Sequence, residues 1–187
     1  RVGSFLRSGV ELLAGIPSVV YGFFGLVIIV PFVRLLGPGT GLSVLAASLI
    51  LGIMILPTVI TVAQSALDAV PARYYEGALA LGVDHEHAVF KVVAPAAASG
   101  IMAAIVLGLG RAIGETMAVV MVAGNMPIIP DSLLSGVRTM TANIVLEMGY
   151  AADLHREALI ATGVVLFVFV LLTTMLLSVI RKRGEAR

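Results

Sequence analysis

The amino-acid sequence predicts an all-α, polytopic transmembrane helix bundle of about four spans, and three observations carry that prediction. The 187 residues are 59% hydrophobic and 12% charged, with a mean hydropathy of +1.09, whereas an average soluble domain is about 25% charged. The apolar residues gather into four stretches, each of about 20 residues or more. Such a stretch crosses the roughly 30 Å hydrocarbon core as a helix, because lipid cannot satisfy exposed backbone amides. The charges fall mostly between the stretches, and the net charge of +1 offers no field to attract nucleic acid. The absence of cysteine excludes disulfide frameworks, thiol catalysis and cysteine-based metal sites.

The first expected span runs from Leu12 to Val33, the second from Leu42 to Ala63, the third from Val92 to Ala123 and the fourth from Ala158 to Ile180. The third is overlong and contains charges. Pro17, Pro31, Pro57 and Pro95 lie within or at the ends of these stretches, where neighbouring helices tolerate them as kinks. Gly37-Pro38-Gly39-Thr40-Gly41 forms a tight turn between the first two spans, which makes those helices antiparallel neighbours. The chain opens at Arg1 with neither a methionine nor a signal peptide before the first apolar run, and it reads as truncated at that end.

Four crossings put both termini and the 64–91 connection on one side, with 34–41 and 124–157 on the other. The first group holds Arg1, Arg7, Arg73, Lys91, Arg181, Lys182, Arg183 and Arg187, against Arg34, Arg138 and Arg156 opposite. The excess of basic residues assigns 64–91 to the cytoplasm and 124–157 to the outer face.

Within the inner connection, residues 71–95 read PARYYEGALALGVDHEHAVFKVVAP. Apolar residues recur at helical spacing from Ala72 to Leu81, and Gly82 ends the segment in a left-handed conformation. Periodicity alone fits an amphipathic helix lying on the lipid surface equally well. Glu76-Gly77-Ala78, then Gly82, then Val92-x-x-Pro95, resembles the EAA motif of ABC importer permeases. Gly77 stands where that family usually has alanine, and Ala94 where it usually has leucine. The resemblance implies the type I importer permease fold. It also implies that 68–91 is a coupling loop, with Glu76, Gly77, Ala78 and Gly82 docking it to a cytoplasmic ATPase. AGIPSVVYGFFGL at 14–26, LGLGRAIGETMAVVMVAGN at 107–125 and ALIATGVVLFVF at 158–169 resemble phosphate permeases of the Pst system, and GETMAV with the following Gly124-Asn125 is similar to the PstC-type subunit. Such subunits normally carry six or more spans, which implies that the first helices are missing here. The resemblance further implies a PstA-type partner subunit, a dimer of ATPase subunits that binds the ATP, an extracytoplasmic phosphate-binding protein and a multi-pass place in the cell inner membrane.

Arg111 and Glu115 are charged residues inside the third apolar run. At 1.5 Å per residue Arg111 is roughly 18 Å from the outer end of that run, beyond easy snorkelling, and burying it in lipid costs roughly 2.5 kcal/mol or more. In a continuous helix the two residues share one face. One reading is an ion pair that neutralises itself and packs the bundle. The other is a substrate pathway, in which the guanidinium matches phosphate oxygens bidentately while Glu115 pairs with it, accepts a proton or gates. The resemblance implies the pathway. Gly108, Gly110 and Gly114 either pack helices or leave space.

Asp84-His85-Glu86-His87 is a poor metal site, because histidines two apart on a helix diverge, and the segment reads as a solvated loop. The 124–157 connection, with a helical stretch from Thr139 to Tyr150, is expected to form an outer mouth. No catalytic or nucleotide-binding constellation appears, so ATP hydrolysis belongs to a partner. Phosphate is the expected cargo. Permeases for sulfate or molybdate, a membrane enzyme using Glu115 as acid, and a structural membrane subunit are the rival readings.

Overall fold

The computed structural model describes residues 2–185, with side chains from 7 to 179, and is all-helical apart from one isolated bridge between Gly124 and Val137. Of the basic residues used to orient the chain, Arg1 and Arg187 lie outside the described residues.

The first expected span is bent. Helix α1 (Val2–Ala14) meets α2 (Ser18–Phe24) at 100°. Gly15 and Pro17 explain the corner, since Pro17 adopts φ −61° and ψ 145° and offers no N–H to continue α1. Tyr21 Oη donates to the Leu13 carbonyl at 2.8 Å, which also accepts from the Ile16 N–H at 3.2 Å, and so ties α2 back across the corner. Leu12 and Leu13 therefore belong to α1, and the continuous run spans only 18–34. It passes through a π-turn at Gly25–Ile29 into α3 (Val30–Arg34). The wider turn lies just before Pro31, whose ring would otherwise meet the carbonyl four residues earlier.

The second span is α4 (Val44–Asp68), unbroken through Pro57 and longer than hydropathy marks. Ser43 caps it by accepting from the Ala46 N–H. Its remaining free donors are met by the end of the Met117–Val122 helix and by the 124–157 loop: Ser43 N–H donates to the Val122 carbonyl at 3.0 Å, Val44 to Ser135 at 3.0 Å and Leu45 to Leu133 at 2.8 Å.

The third expected span, Val92–Ala123, is not one helix. After α5 (Ala72–Ala80) and α6 (His85–Ala88), a π-turn at Val89–Val93 leads through α7 (Ala94–Ala96) to a 67° bend at Ala97. Here too the π-turn precedes a proline, Pro95. Helix α8 (Ala98–Gly114) follows and ends where Glu115 becomes extended, with ψ 135°. Helix α9 (Met117–Val122) then resumes. Helix α10 (Met140–Glu147), capped by Thr139, is the stretch expected in the outer connection, and α11 (Asp153–Glu185) contains the whole of the fourth span.

Two helices, α4 and Asp153–Val179 of α11, are long and apolar enough to cross a membrane unaided, and the two bent pairs raise the number to as many as four. The compact core joins α3, the first half of α4 and α9 through Val33, Ala46, Ile50, Val119 and Val122. Glycines bring the elements together: a Cβ on Gly25 would lie 2.5 Å from Ile50 Cγ1, and one on Gly22 2.8 Å from the Ala118 Cα. Elsewhere large apolar side chains face outward, among them Phe23, Phe32, Phe167, Leu172 and Leu176. That inverted surface is the signature of a protein solvated by lipid or by other membrane helices.

Candidate functional site

The polar site begins with the packing of α8 on α4. Gly100, Ala104 and Gly108 form one face of α8, at successive intervals of four residues. A Cβ on Gly100 would lie 2.3 Å from Ala66 Cβ and one on Gly108 2.6 Å from Val59 Cγ2, while Ala104 is fully buried. The helices thus touch backbone to side chain. Gly110 and Gly114 have no such neighbours within 4 Å. Gly108 is a packing glycine, then, and Gly110 and Gly114 leave open space.

Close approach brings Arg111, in the last turn of α8, against the middle of α4. Its Nη1 donates to Thr58 Oγ1 at 2.9 Å. Thr58 is fourteen residues from Val44 and ten from Asp68, or about 21 Å and 15 Å along the axis. The guanidinium therefore lies beside the middle of α4, although the helix that carries it ends sooner than expected. It is exposed on the surface of its own chain. One of its five N–H donors is engaged by a described residue.

The pairing of Arg111 with Glu115 on one helical face, one of the two readings of their spacing, does not form among the described residues. Because α8 stops at Gly114 and Glu115 turns extended, the carboxylate swings to the other side of the break. Its Oε1 accepts from the Ala118 N–H at 3.1 Å, capping α9, and its main-chain carbonyl accepts from Thr141 Oγ1 at 3.1 Å. Glu115 also lines a cleft of about 230 Å³ with Ser48, Leu51, Val119, Thr139 and Thr141. Gly114-Glu115-Thr116 holds the signal for this break, a helix stop followed by a cap residue, inside a run that hydropathy reads as uniform.

The outer loop holds an ion pair that sequence reading did not assemble. Arg138 Nη1 meets Glu147 Oε1 at 2.7 Å with both side chains largely covered, and Arg138 Nε donates to the Asn125 carbonyl at 3.0 Å. The Tyr150 hydroxyl donates to Glu147 as well, and His155 Nε2 lies 3.6 Å from it. The Tyr150 hydrogen bond, followed by that from Arg138, holds the Glu147 carboxyl below the usual carboxylate range.

On the opposite side, α5 ends as the sequence predicts. Gly82 has φ +83°, its N–H donates to the Leu79 carbonyl at 2.9 Å, and the Val83 N–H donates to Ala78 at 3.2 Å. This is a Schellman ending, which closes the free carbonyls of the last turn. No atom lies within 4 Å of a Cβ added at Gly82, so the glycine is demanded by backbone conformation and not by space. Ala78 is buried, whereas Glu76 and Gly77 are exposed. Tyr75 hydrogen-bonds His85 Nδ1 at 2.6 Å and Asp84 meets His87 Nδ1 at 2.7 Å, so the two histidines have separate partners.

Known proteins are similar to this chain in sequence. A family model described as the binding-protein-dependent transport system inner membrane component matches residues 1–184. The chain is 40% identical over 183 residues to the probable ABC transporter permease protein YqgH of Bacillus subtilis, covering 96% of this chain and 59% of that protein. It is 36% identical over 199 residues to the phosphate transport system permease protein PstC of Mesorhizobium japonicum, with 95% and 61% covered. The figures for PstC of Pasteurella multocida are 36%, 93% and 60%. The chain thus spans about three fifths of the length of these relatives. No solved structure matches it. The resemblance carried by the EAA-like loop and the GETMAV segment is borne out, and the chain belongs to the family of inner membrane components of binding-protein-dependent transport systems.

Proposed function

We propose that the chain forms part of the phosphate pathway of an ATP-driven importer and couples that pathway to a separate ATPase subunit. The observation that carries this reading is Arg111, a guanidinium beside the middle of α4 whose exposed face is covered by none of the described residues. Facing lipid it would cost roughly 2.5 kcal/mol or more; facing a water-filled pathway shared with a second permease subunit, it offers four free donors to an anion. Similarity to permeases named for phosphate transport supports phosphate as that anion.

In this reading, a tetrahedral oxyanion delivered by an extracytoplasmic binding protein enters from the side of the 124–157 loop. It exchanges part of its hydration shell for the Arg111 fork. The α5 loop docks on the ATPase dimer through the exposed Glu76 and Gly77, with the Gly82 ending fixing the loop's direction. Glu115 acts as a gating residue at the break between α8 and α9, since its carboxylate and its carbonyl tie that break to α9 and to α10 respectively.

The test is phosphate uptake into vesicles holding the complete complex. Arg111→Gln is expected to abolish uptake while leaving assembly intact, and Arg111→Lys to retain little, because a point charge lacks the bidentate fork. Uptake at the parental rate by assembled Arg111→Gln complexes would overturn the proposal.

A further inference from the structure

We infer that Thr58 is a second anion contact of the pathway, its hydroxyl holding Arg111 with a lone pair and offering its hydrogen to the same oxyanion. The inference rests on the pathway reading of Arg111 and adds a residue to it.

The other threonines within α4 and α11 behave alike. Thr61 donates to the Pro57 carbonyl at 2.8 Å, Thr162 to Ala158 at 2.9 Å, Thr173 to Phe169 at 2.7 Å and Thr174 to Val170 at 2.7 Å. Each hydroxyl thereby consumes its hydrogen within its own helix, the usual resting place for such a group in an apolar span. Thr58 departs from this pattern. Among the described residues its recorded hydrogen bond is the one it accepts from Arg111 across 53 positions of sequence. Its own hydrogen is left uncommitted, beside a guanidinium with four free N–H donors.

That arrangement is assembled by the packing and does not follow from chance side-chain reach. Gly108 allows α8 within contact of Val59 and Ile55, the residues on either side of Thr58 along the facing surface of α4. Thr58 and Arg111 then meet at a partly open surface, where a hydroxyl and a guanidinium fork converge as donors. An oxyanion accepts from both, and a hydrogen bond to a charged group is stronger than one between neutral groups.

Side-chain shape and hydroxyl chemistry give opposite rankings of the variants, which makes the test sharp. Thr58→Val keeps the branched shape and loses the hydroxyl; Thr58→Ser keeps the hydroxyl and loses a methyl. In vesicles holding the complete complex and supplied with inorganic phosphate, Thr58→Val should lower the uptake rate about tenfold or more, and Thr58→Ser should stay within about twofold of the parent. Thr58→Ala should fall with Thr58→Val, and replaces it if the valine variant fails to assemble. A hydroxyl-free variant that transports as well as Thr58→Ser overturns the inference. If that happens while Arg111→Gln abolishes uptake, the Thr58 contact alone fails; if Arg111→Gln also transports normally, the pathway reading fails with it.

Discussion

Substituting alanine at Gly108 tests whether the contact between α4 and α8 sets the pathway residues. The added Cβ would lie 2.6 Å from Val59 Cγ2, whereas unstrained carbon atoms sit about 3.5–4.0 Å apart. Valine has essentially one χ1 rotamer in a helix and cannot swing its methyl away, so α8 must withdraw by about 1 Å. The Arg111–Thr58 distance of 2.9 Å then stretches to about 3.9 Å, beyond hydrogen-bond range. Overpacking costs about 1–3 kcal/mol, while replacing a mid-helix glycine with alanine returns about 1 kcal/mol. The net loss of about 0–2 kcal/mol leaves the bundle folded. Phosphate uptake should nevertheless drop about tenfold or more, since a displacement of about 1 Å is enough to lose aligned contacts. Gly110→Ala is the control, because no atom lies within 4 Å of its added Cβ. Parental uptake by assembled Gly108→Ala complexes, or equal losses in the two variants, would refute the reasoning.

Gly82→Leu should leave membrane insertion unchanged but abolish phosphate-stimulated ATP hydrolysis, because leucine resists φ +83° and enlarges an exposed surface; hydrolysis measured on the complete complex decides it, and normal stimulation would remove the coupling role from this loop. Depression of the Glu147 carboxyl means that its ionised form stabilises the 124–157 loop at neutral pH, and that this contribution disappears as pH falls through the lowered value, below the usual glutamate range. Hydrogen exchange of the 140–147 amides, corrected for intrinsic rate, should show α10 loosening in that range, and Glu147→Gln should loosen it already at pH 7; an unchanged profile in that variant would mean that Arg138 and Tyr150 do not act through this carboxylate. Cysteines placed at Asp84 and Asp131 should label from opposite faces, Asp84 only from the cytoplasm, as the distribution of basic residues requires; labelling of both from outside would overturn the topology.

The parts of the fold legible in the sequence are those where one physical signal runs uninterrupted. Residues 44–68 and 153–185 are continuous apolar helices because nothing in them competes with helix formation strongly enough to stop it, Pro57 included. The α5 ending was legible because a left-handed residue at that position calls for glycine. Hydropathy failed at Gly15-Ile16-Pro17, at Ala97 and at Glu115, where short local chemistry breaks a run whose average stays apolar. The Arg111–Glu115 face was inferred from helical spacing and vanished with the helix. Thr58 carried no signal at all, since threonine is common in apolar helices and only the folded contact shows that its hydroxyl serves a residue 53 positions away.

The break at Glu115 also divides the molecule mechanically. On its outer side, α9 is buried against α3 and the start of α4, the Val137 N–H donates to the Ala123 carbonyl at 2.9 Å, and Arg138 reaches the Asn125 carbonyl at 3.0 Å. With the loop residues that cap α4, these contacts make one densely bonded unit. On the other side of the break, the face that α8 lays on α4 is built from the small residues Gly100, Ala104 and Gly108, and α8 connects through the bend at Ala97 to the exposed α5 loop. Small-residue contacts hold helices close but carry few interlocking side chains, so α8 slides or tilts against α4 at lower cost than α9 leaves its core. Under the proposed coupling, a displacement applied at the α5 loop would be taken up along α8. Arg111 lies four residues before the break, held to α4 by one hydrogen bond, and under that coupling this bond would change before anything in the α3–α4–α9 core does.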